Sequence, residues 1–230
     1  MKKIKIYSEL VYIVALFGLP FSVAMLAAAD FGVSMIVAPA YILSQKFTIF
    51  TFGQWDYIVQ AFLFVAFCIA MKKFKFTYFV SFITCVLYGT ILDMWRAIIP
   101  LFNPEITPPG SMDLWQRLVM FVVGELITGF TVMLFFKSYI YPQVCDLFVK
   151  GIVEKYNLNK IKAKRVFDFS CLALSIVLTL VFFKSFVGIK LGTAVIAVCT
   201  SILIGIFDKL YNKYFQTQAL FKNIEKKFKF

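Results

Sequence analysis

The sequence predicts an all-α, polytopic transmembrane bundle of about six helices. Three observations predict it. First, 61% of the 230 residues are hydrophobic and 16% are charged, against about 25% charge in soluble domains. Second, 29 phenylalanines dominate the aromatic residues, an excess foreign to a water-soluble core. Third, apolar runs long enough to cross a ~30 Å hydrocarbon layer recur along the chain, punctuated by charges, Gly and Pro. The length leaves room for one transmembrane domain, residues 1–230, and none for a separate soluble one.

The elements follow in order. A basic start, MKKIK, resembles a signal n-region, but the long apolar stretch after it lacks a cleavage site and reads as a retained helix over about Leu10–Ala29. Pro20 inside it predicts a kink or a locally opened hydrogen-bond ladder. Asp30, Phe31 and Gly32 break the run. Val33–Leu43 resumes it but reaches only about half of the hydrocarbon layer at ~1.5 Å per residue, as a re-entrant piece or an extension of helix one. Helix two covers about Trp55–Met71, with Trp55 and Tyr57 suited to a headgroup belt. A basic turn of Lys72, Lys73 and Lys75 follows, then helix three over about Phe76–Trp95. Residues 97–116 hold Pro100, Pro104, Pro108 and Pro109 and predict a structured surface loop. Helix four covers about Leu118–Phe136. Residues 137–165 form a polar connector, in which Val144, Leu147, Phe148, Ile152 and Val153 make one apolar stripe, as on a helix lying against the cytoplasmic leaflet. Helices five and six cover about Phe167–Phe186 and Ile189–Leu210. The basic tail to Phe230, with spaced aromatics, predicts a second surface helix.

Charge sets an expected orientation. With both termini in the cytoplasm, nineteen of the 24 Lys and Arg residues fall on the inner side, as the positive-inside rule requires. The net charge of +12 then implies contact with anionic lipid headgroups rather than nucleic acid. The five cysteines form no CxxC pair and read as buried thiols. No histidine is present, which removes Ser–His and Cys–His catalysis. No zinc spacing, P-loop or dinucleotide fingerprint occurs. The expectation is therefore a non-enzyme without metal or cofactor.

Five residues stand out as candidates for a solute or ion cavity. Glu125 lies in VVGELITGF, in the middle of helix four, where a carboxyl must pair, protonate or face water. It is either a contact for a proton, cation or solute or a carboxylate bonded within the bundle. Thr128 lies three residues on. Asp30 either caps the following short helix or faces an outward site. Asp93 and Arg96 lie about one turn apart at the outer end of helix three and can pair. Internal similarity is loose. CVLYGTILD, Cys85–Asp93, and SILIGIFD, Ser201–Asp208, each place Gly shortly before an acid. Two inverted three-helix halves, roughly 1–136 and 137–230, or chance likeness of apolar sequence, both account for this.

GLPFSVAMLAAADFGVSMIVAPAYILS resembles the opening of the YczE/YyaS/YitT group of small bacterial integral membrane proteins, through Gly18, Asp30, Gly32, Ser34 and Pro39. Thr51-Phe52-Gly53, Gly89–Asp93 and Val187–Thr193 extend the resemblance over nearly the whole chain. Met35 and Ile36 depart from it, standing where the group carries Pro-Trp. The shorter YczE-like branch is the nearer, because the YitT-like C-terminal soluble domain is missing. The resemblance implies a cytoplasmic-membrane bundle and suspected transport, and it supplies no catalytic residue. The leading expectation is a transporter or substrate-binding transport component for an unknown small solute, with Asp30, Asp93 and Glu125 around one cavity. The alternative is a membrane assembly or regulatory protein that docks a protein partner through its basic cytoplasmic segments.

Overall fold

The computed structural model describes residues 3–72, 75–221 and 223, without side chains at 160 and 161. In chain order the elements are β1 (Ile4–Tyr7), α1 (Ser8–Ala29), α2 (Ala38–Lys46), α3 (Phe52–Met71) and α4 (Phe76–Ile98). A 3-10 turn at Pro100–Phe102 is followed by α5 (Leu114–Lys137), α6 (Val144–Tyr156), α7 (Lys160–Phe183), α8 (Leu191–Tyr214) and β2 (Phe215–Gln218). Six of these helices, α1, α3, α4, α5, α7 and α8, are long and apolar enough to cross a membrane. The protein is a multi-pass integral membrane protein. Its outer helices carry large apolar side chains such as Phe62, Ile69, Phe169, Val181 and Val198 fully in the open, as lipid-facing surfaces do.

The centre is the pair α1 and α5, half of whose span residues are buried. They run antiparallel. Ser8 meets Ser138 at one end, 3.4 Å, and Asp30 meets Arg117 at the other, 3.3 Å. We call the Ser8 end basal and the Asp30 end distal. Small residues let the two backbones approach. Gly124 lies against Leu26 and Ser22, and Gly18 against Thr131.

The contacts repeat between α1–α4 and α5–α8. The helix α4 packs parallel to α1, with Tyr12 bonded to Thr84 (2.7 Å) and Trp95 Nε1 donating to the Phe17 carbonyl (3.1 Å). The helix α8 packs parallel to α5 in the same way, with Thr200 donating to Glu125 (2.6 Å) and Lys137 paired with Asp208 (2.5 Å). The two short helices cross over to the opposite half. Lys46, ending α2, donates to the Phe182 carbonyl at the end of α7 (3.3 Å). Lys155, near the end of α6, donates to the Ala70 carbonyl at the end of α3 (2.5 Å). These contacts relate α1–α4 to α5–α8, on either side of the Pro-rich loop after α4.

Two contacts do not repeat: α6 also packs on α4 with no comparable α2–α8 contact among the described residues, and α3 closes on α4. The helices α3 and α4 are closed against each other at Gly53 and Gly89. A side chain at Gly53 would overlap the Gly89 carbonyl, and one at Gly89 would come within 2.5 Å of the Gly53 carbonyl. No comparable interface joins α7 to α8 among the described residues. Gly205, which matches Gly89 in the sequence similarity, faces open space.

Three expectations change. The segment 144–156 does not lie flat on a leaflet. Its stripe packs on α3, α4 and α7, with Phe148 against Phe67 and Phe167. Residues 33–37 are irregular and the helix α2 follows at Ala38–Lys46, separate from α1, with Pro39 supplying a preset φ in its first turn. The helix α1 continues on both sides of Pro20, which has no N–H for the Leu16 carbonyl. The tail begins as a strand rather than a helix, because β2 pairs parallel with β1, Ile4 opposite Phe215. Lys73 and most of the tail beyond Phe221 lie outside the described residues.

The glycines give a direct test. Gly89→Leu is expected to cost at least about 1–3 kcal/mol by overpacking, read as a lower melting temperature in detergent. Gly205→Leu is expected to leave that temperature unchanged.

Candidate functional site

The five candidate residues fall into three places. Asp30 ends α1 in the left-handed region, φ 55°, a conformation that Asp tolerates better than most residues. Its carboxylate meets Lys190 (2.7 Å) and Arg117 (3.3 Å). Arg117 also donates Nε to the Ala29 carbonyl (2.8 Å) and Nη2 to the Asp30 carbonyl (3.0 Å), and lies over the Phe31 ring at 4.8 Å. Lys190 donates to the same Asp30 carbonyl, 3.1 Å. Two cations thus cover the carbonyl end of α1, where the helix dipole favours positive charge. Asp30 does not cap α2, whose N-cap residue is Val37. Gly32, at φ 114°, completes the corner, and a side chain there would meet Thr193 and the Lys190 nitrogen.

Asp93 works across the Gly53–Gly89 contact. Its Oδ1 accepts the Gly53 N–H (2.9 Å) and its Oδ2 accepts the Thr51 hydroxyl. Thr51 also caps α3 through Gln54, in a reciprocal capping box. Asp93 makes no close ion pair with Arg96, although its charge still acts on that guanidinium.

Arg96 sits instead at a small distal pocket of about 10 Å³, room for about one water, which it lines with Ala27, Ala28, Tyr41, Phe102, Pro104, Thr107 and Pro109. Its guanidinium lies 5.2 Å over the Phe52 ring. Its Nε is buried and makes no hydrogen bond among the described residues. Burial, reinforced by the charge of Asp30, pushes the Tyr41 phenol up to about 12, so this cavity wall keeps its proton as a donor.

Glu125 lies far from all of these, at the middle of α5 and 5% exposed. Its Oε1 accepts the Thr200 hydroxyl from α8, and its Oε2 is buried with no partner among the described residues. Thr128 points the other way. Its hydroxyl lies 2.9 Å from both the Ser22 hydroxyl of α1 and the Gly124 carbonyl, with one proton for the two, and serves packing. Asp30, Asp93 and Glu125 therefore do not share one cavity.

The model of a family of unknown function, DUF6198, matches residues 6–209. The chain belongs to that family. Comparisons with curated proteins and with solved structures give no match.

This DUF6198 member also holds a polar knot that the sequence reading missed. Asp56, 4% exposed, accepts from Gln60 Nε2 at 2.7 Å. The Gln60 side chain also reaches Gln143 at the start of α6 (3.3 Å), and the Cys85 thiol donates to Gln60 Oε1 (2.9 Å). The Val144 N–H points at the Cys85 sulfur, 3.3 Å. Residues 138–143 thus carry backbone into the bundle and bond it to α4, through Thr84 on the Tyr141 carbonyl (3.3 Å) and Ser81 on the Pro142 carbonyl. The i, i+4 spacing of Asp56 and Gln60 on an apolar helix was the available signal. Irregular backbone in a membrane bundle needs such partners.

At the distal corner, Asp30→Asn keeps the left-handed turn and removes only charge. The expected cost is about 1–3 kcal/mol, the range for hydrogen bonds to a charged group, read as a lower melting temperature that rising salt makes smaller.

Proposed function

We propose that the protein is a transporter, or the solute-binding component of one, that works by exchanging the conformations of two inverted halves. The observation that carries this is the unequal closure of equivalent helix pairs. The pair α3–α4 is shut at Gly53 and Gly89, whereas Gly205 on α8 faces open space. Inverted repeats with short intervening helices support alternating access, in which one half adopts the arrangement that the other leaves. Glu125 is placed to report that exchange. It lies at mid-span on the central helix α5 and bonds α8, one of the two helices that stand apart. Its unpartnered Oε2 is the group for a coupling proton or cation.

The basal face is the cytoplasmic one in this reading, since most of the lysines lie there, and the membrane is the cytoplasmic membrane with its anionic headgroups. The likeness to YczE/YyaS/YitT proteins through Gly18, Asp30 and Gly32 agrees with it. In this reading the protein is not an enzyme. Docking of a protein partner is the second reading, favoured by the two-stranded β1–β2 ladder, whose outer edges are unpaired among the described residues.

The test is solute flux into liposomes, with candidate solutes screened on the wild type. Gly205→Leu is expected to keep wild-type melting and abolish flux, because it fills the face onto which α7 must close. Glu125→Gln is expected to retain binding and lose dependence on the driving ion gradient. Full flux in Gly205→Leu sinks the exchange. Co-purification of one stoichiometric partner without any flux supports docking instead.

A further inference from the structure

We infer that Asp56 is a proton-binding site, a neutral carboxylic acid in this arrangement, and that the ion coupled to transport is a proton. Only the coupling rests on the transport reading; the site stands without it.

The other acids of the structure show what an ionised carboxylate receives here. Asp30 meets two cations, Lys190 and Arg117. Asp93 accepts the Gly53 N–H and the Thr51 hydroxyl. Glu9 accepts from the Tyr139 hydroxyl and from the N–H groups of Leu220 and Phe221. Asp56, 4% exposed, receives a single neutral donor, Gln60 Nε2, on Oδ2. Its Oδ1 makes no hydrogen bond among the described residues. A carboxylate has about four acceptor sites to fill. Buried and left short of donors, it gives way to its neutral acid.

The surroundings offer no countercharge. The helix α3 is packed by α4, α6 and α2. Cys85, Tyr88 and the like-charged Asp93 of α4 act on Asp56, and so does Cys145 of α6. Asp146 of α6 pairs with Lys164, and Tyr41 of α2 packs on Phe52. The cations of these elements are turned elsewhere. Arg96 lies over the Phe52 ring, Lys46 donates to the Phe182 carbonyl, Lys150 lies over the Tyr141 ring and Lys155 donates to the Ala70 carbonyl. None forms an ion pair with Asp56 among the described residues.

A metal cation does not fill the gap. Hard cations take about six or more oxygen ligands, and no cluster of acids and cysteines that could hold one occurs among the described residues. A proton needs neither room nor further ligands. Its route is short, because Asp56 follows the exposed Thr51 in the first turns of α3, about 8 Å along the axis. Its loss reaches α6 as well. Gln60 Nε2 is shared between Asp56 Oδ2 (2.7 Å) and Gln143 Oε1 (3.3 Å). When the proton leaves for the distal water, the carboxylate draws that nitrogen more strongly, away from the residue that opens α6.

Purified full-length protein in nanodiscs is measured by infrared spectroscopy in acid, neutral and alkaline buffer, with its aspartate carboxyls carrying a heavy carbon isotope. At neutral pH a C=O stretch of a protonated carboxyl is expected, shifted by the label. The shift marks it as an aspartic acid rather than Glu125 and needs no variant to fold. Asp56→Asn is expected to abolish the band, and Glu125→Gln to leave it. Asn keeps the acceptor oxygen and the shape of the neutral acid. The melting temperature of Asp56→Asn relative to wild type is therefore expected to rise from acid to alkaline buffer, because only the wild type must ionise a buried group. No labelled band, a band that survives Asp56→Asn, or a relative melting temperature that is flat or falls with pH overturns the site. Flux into liposomes with and without a pH gradient separates site from transport. If Asp56→Asn removes the band while a carried solute ignores the gradient, the coupling falls and the site stands. If flux follows the gradient and no labelled band appears, the site falls alone. If no solute is carried, transport falls and the site stands on its spectra.

Discussion

The structure depends on how closely α1 and α5 approach each other. In lipid no hydrophobic drive pulls apolar helices together, so packing and buried hydrogen bonds must do it. Gly18 and Gly124 remove the side chains that would hold the backbones apart. Thr128 and Ser22 then bond across the seam at 2.9 Å. Each end is sealed by a different chemistry. Serines meet at the basal end, and Arg117 folds over the last carbonyls of α1 at the distal end. Across this seam the packing of α4 on α1 is matched by that of α8 on α5, and the short helices α2 and α6 reach α7 and α3.

The unequal closure of α3–α4 and α7–α8 has a simple cause in side-chain size. Two glycines face each other in the first pair. In the second, α8 keeps its glycine, and α7, KIKAKRVFDFSCLALSIVLTLVFF, contains none. The helix α7 is instead engaged by α6, where Lys164 lies between Asp146 (3.7 Å) and Asp168 (3.0 Å). The helix α7 is thus held through side chains, half-buried ion pairs among them, where α3 is held by backbone contact at two glycines.

Much of the fold was legible in the sequence. Six spans and the Pro-rich loop follow from hydropathy and from Pro100, Pro104, Pro108 and Pro109, because lipid enforces long apolar helices. Helix ends drifted by a few residues where polar side chains turn inward, as Asp93 does, or where a basic segment continues a helix, as at Lys160. The α6 segment was misplaced for a clear reason. An apolar stripe with lysines beside it looks the same whether lipid or α3 covers it. The candidate site was legible only residue by residue. Glu125 stood out because a mid-span carboxyl is costly anywhere. What Asp30, Asp93 and Arg96 face depends on partners distant in the chain, Lys190 and Arg117 for one, Gly53 for another. Asp56 was hidden for the same reason, since Gln143 approaches it from a loop 83 residues beyond Gln60.

The β1–β2 ladder sets the order in which the molecule can be completed. Residues 4–7 leave the ribosome before any span exists, yet their strand partner is 215–218. Glu9 likewise waits for the N–H groups of Leu220 and Phe221, at 3.1 and 3.2 Å. During synthesis the leading segment must therefore stay unpaired while six helices are inserted. Its closure is a late event, a latch that fastens only after the final helix has arrived.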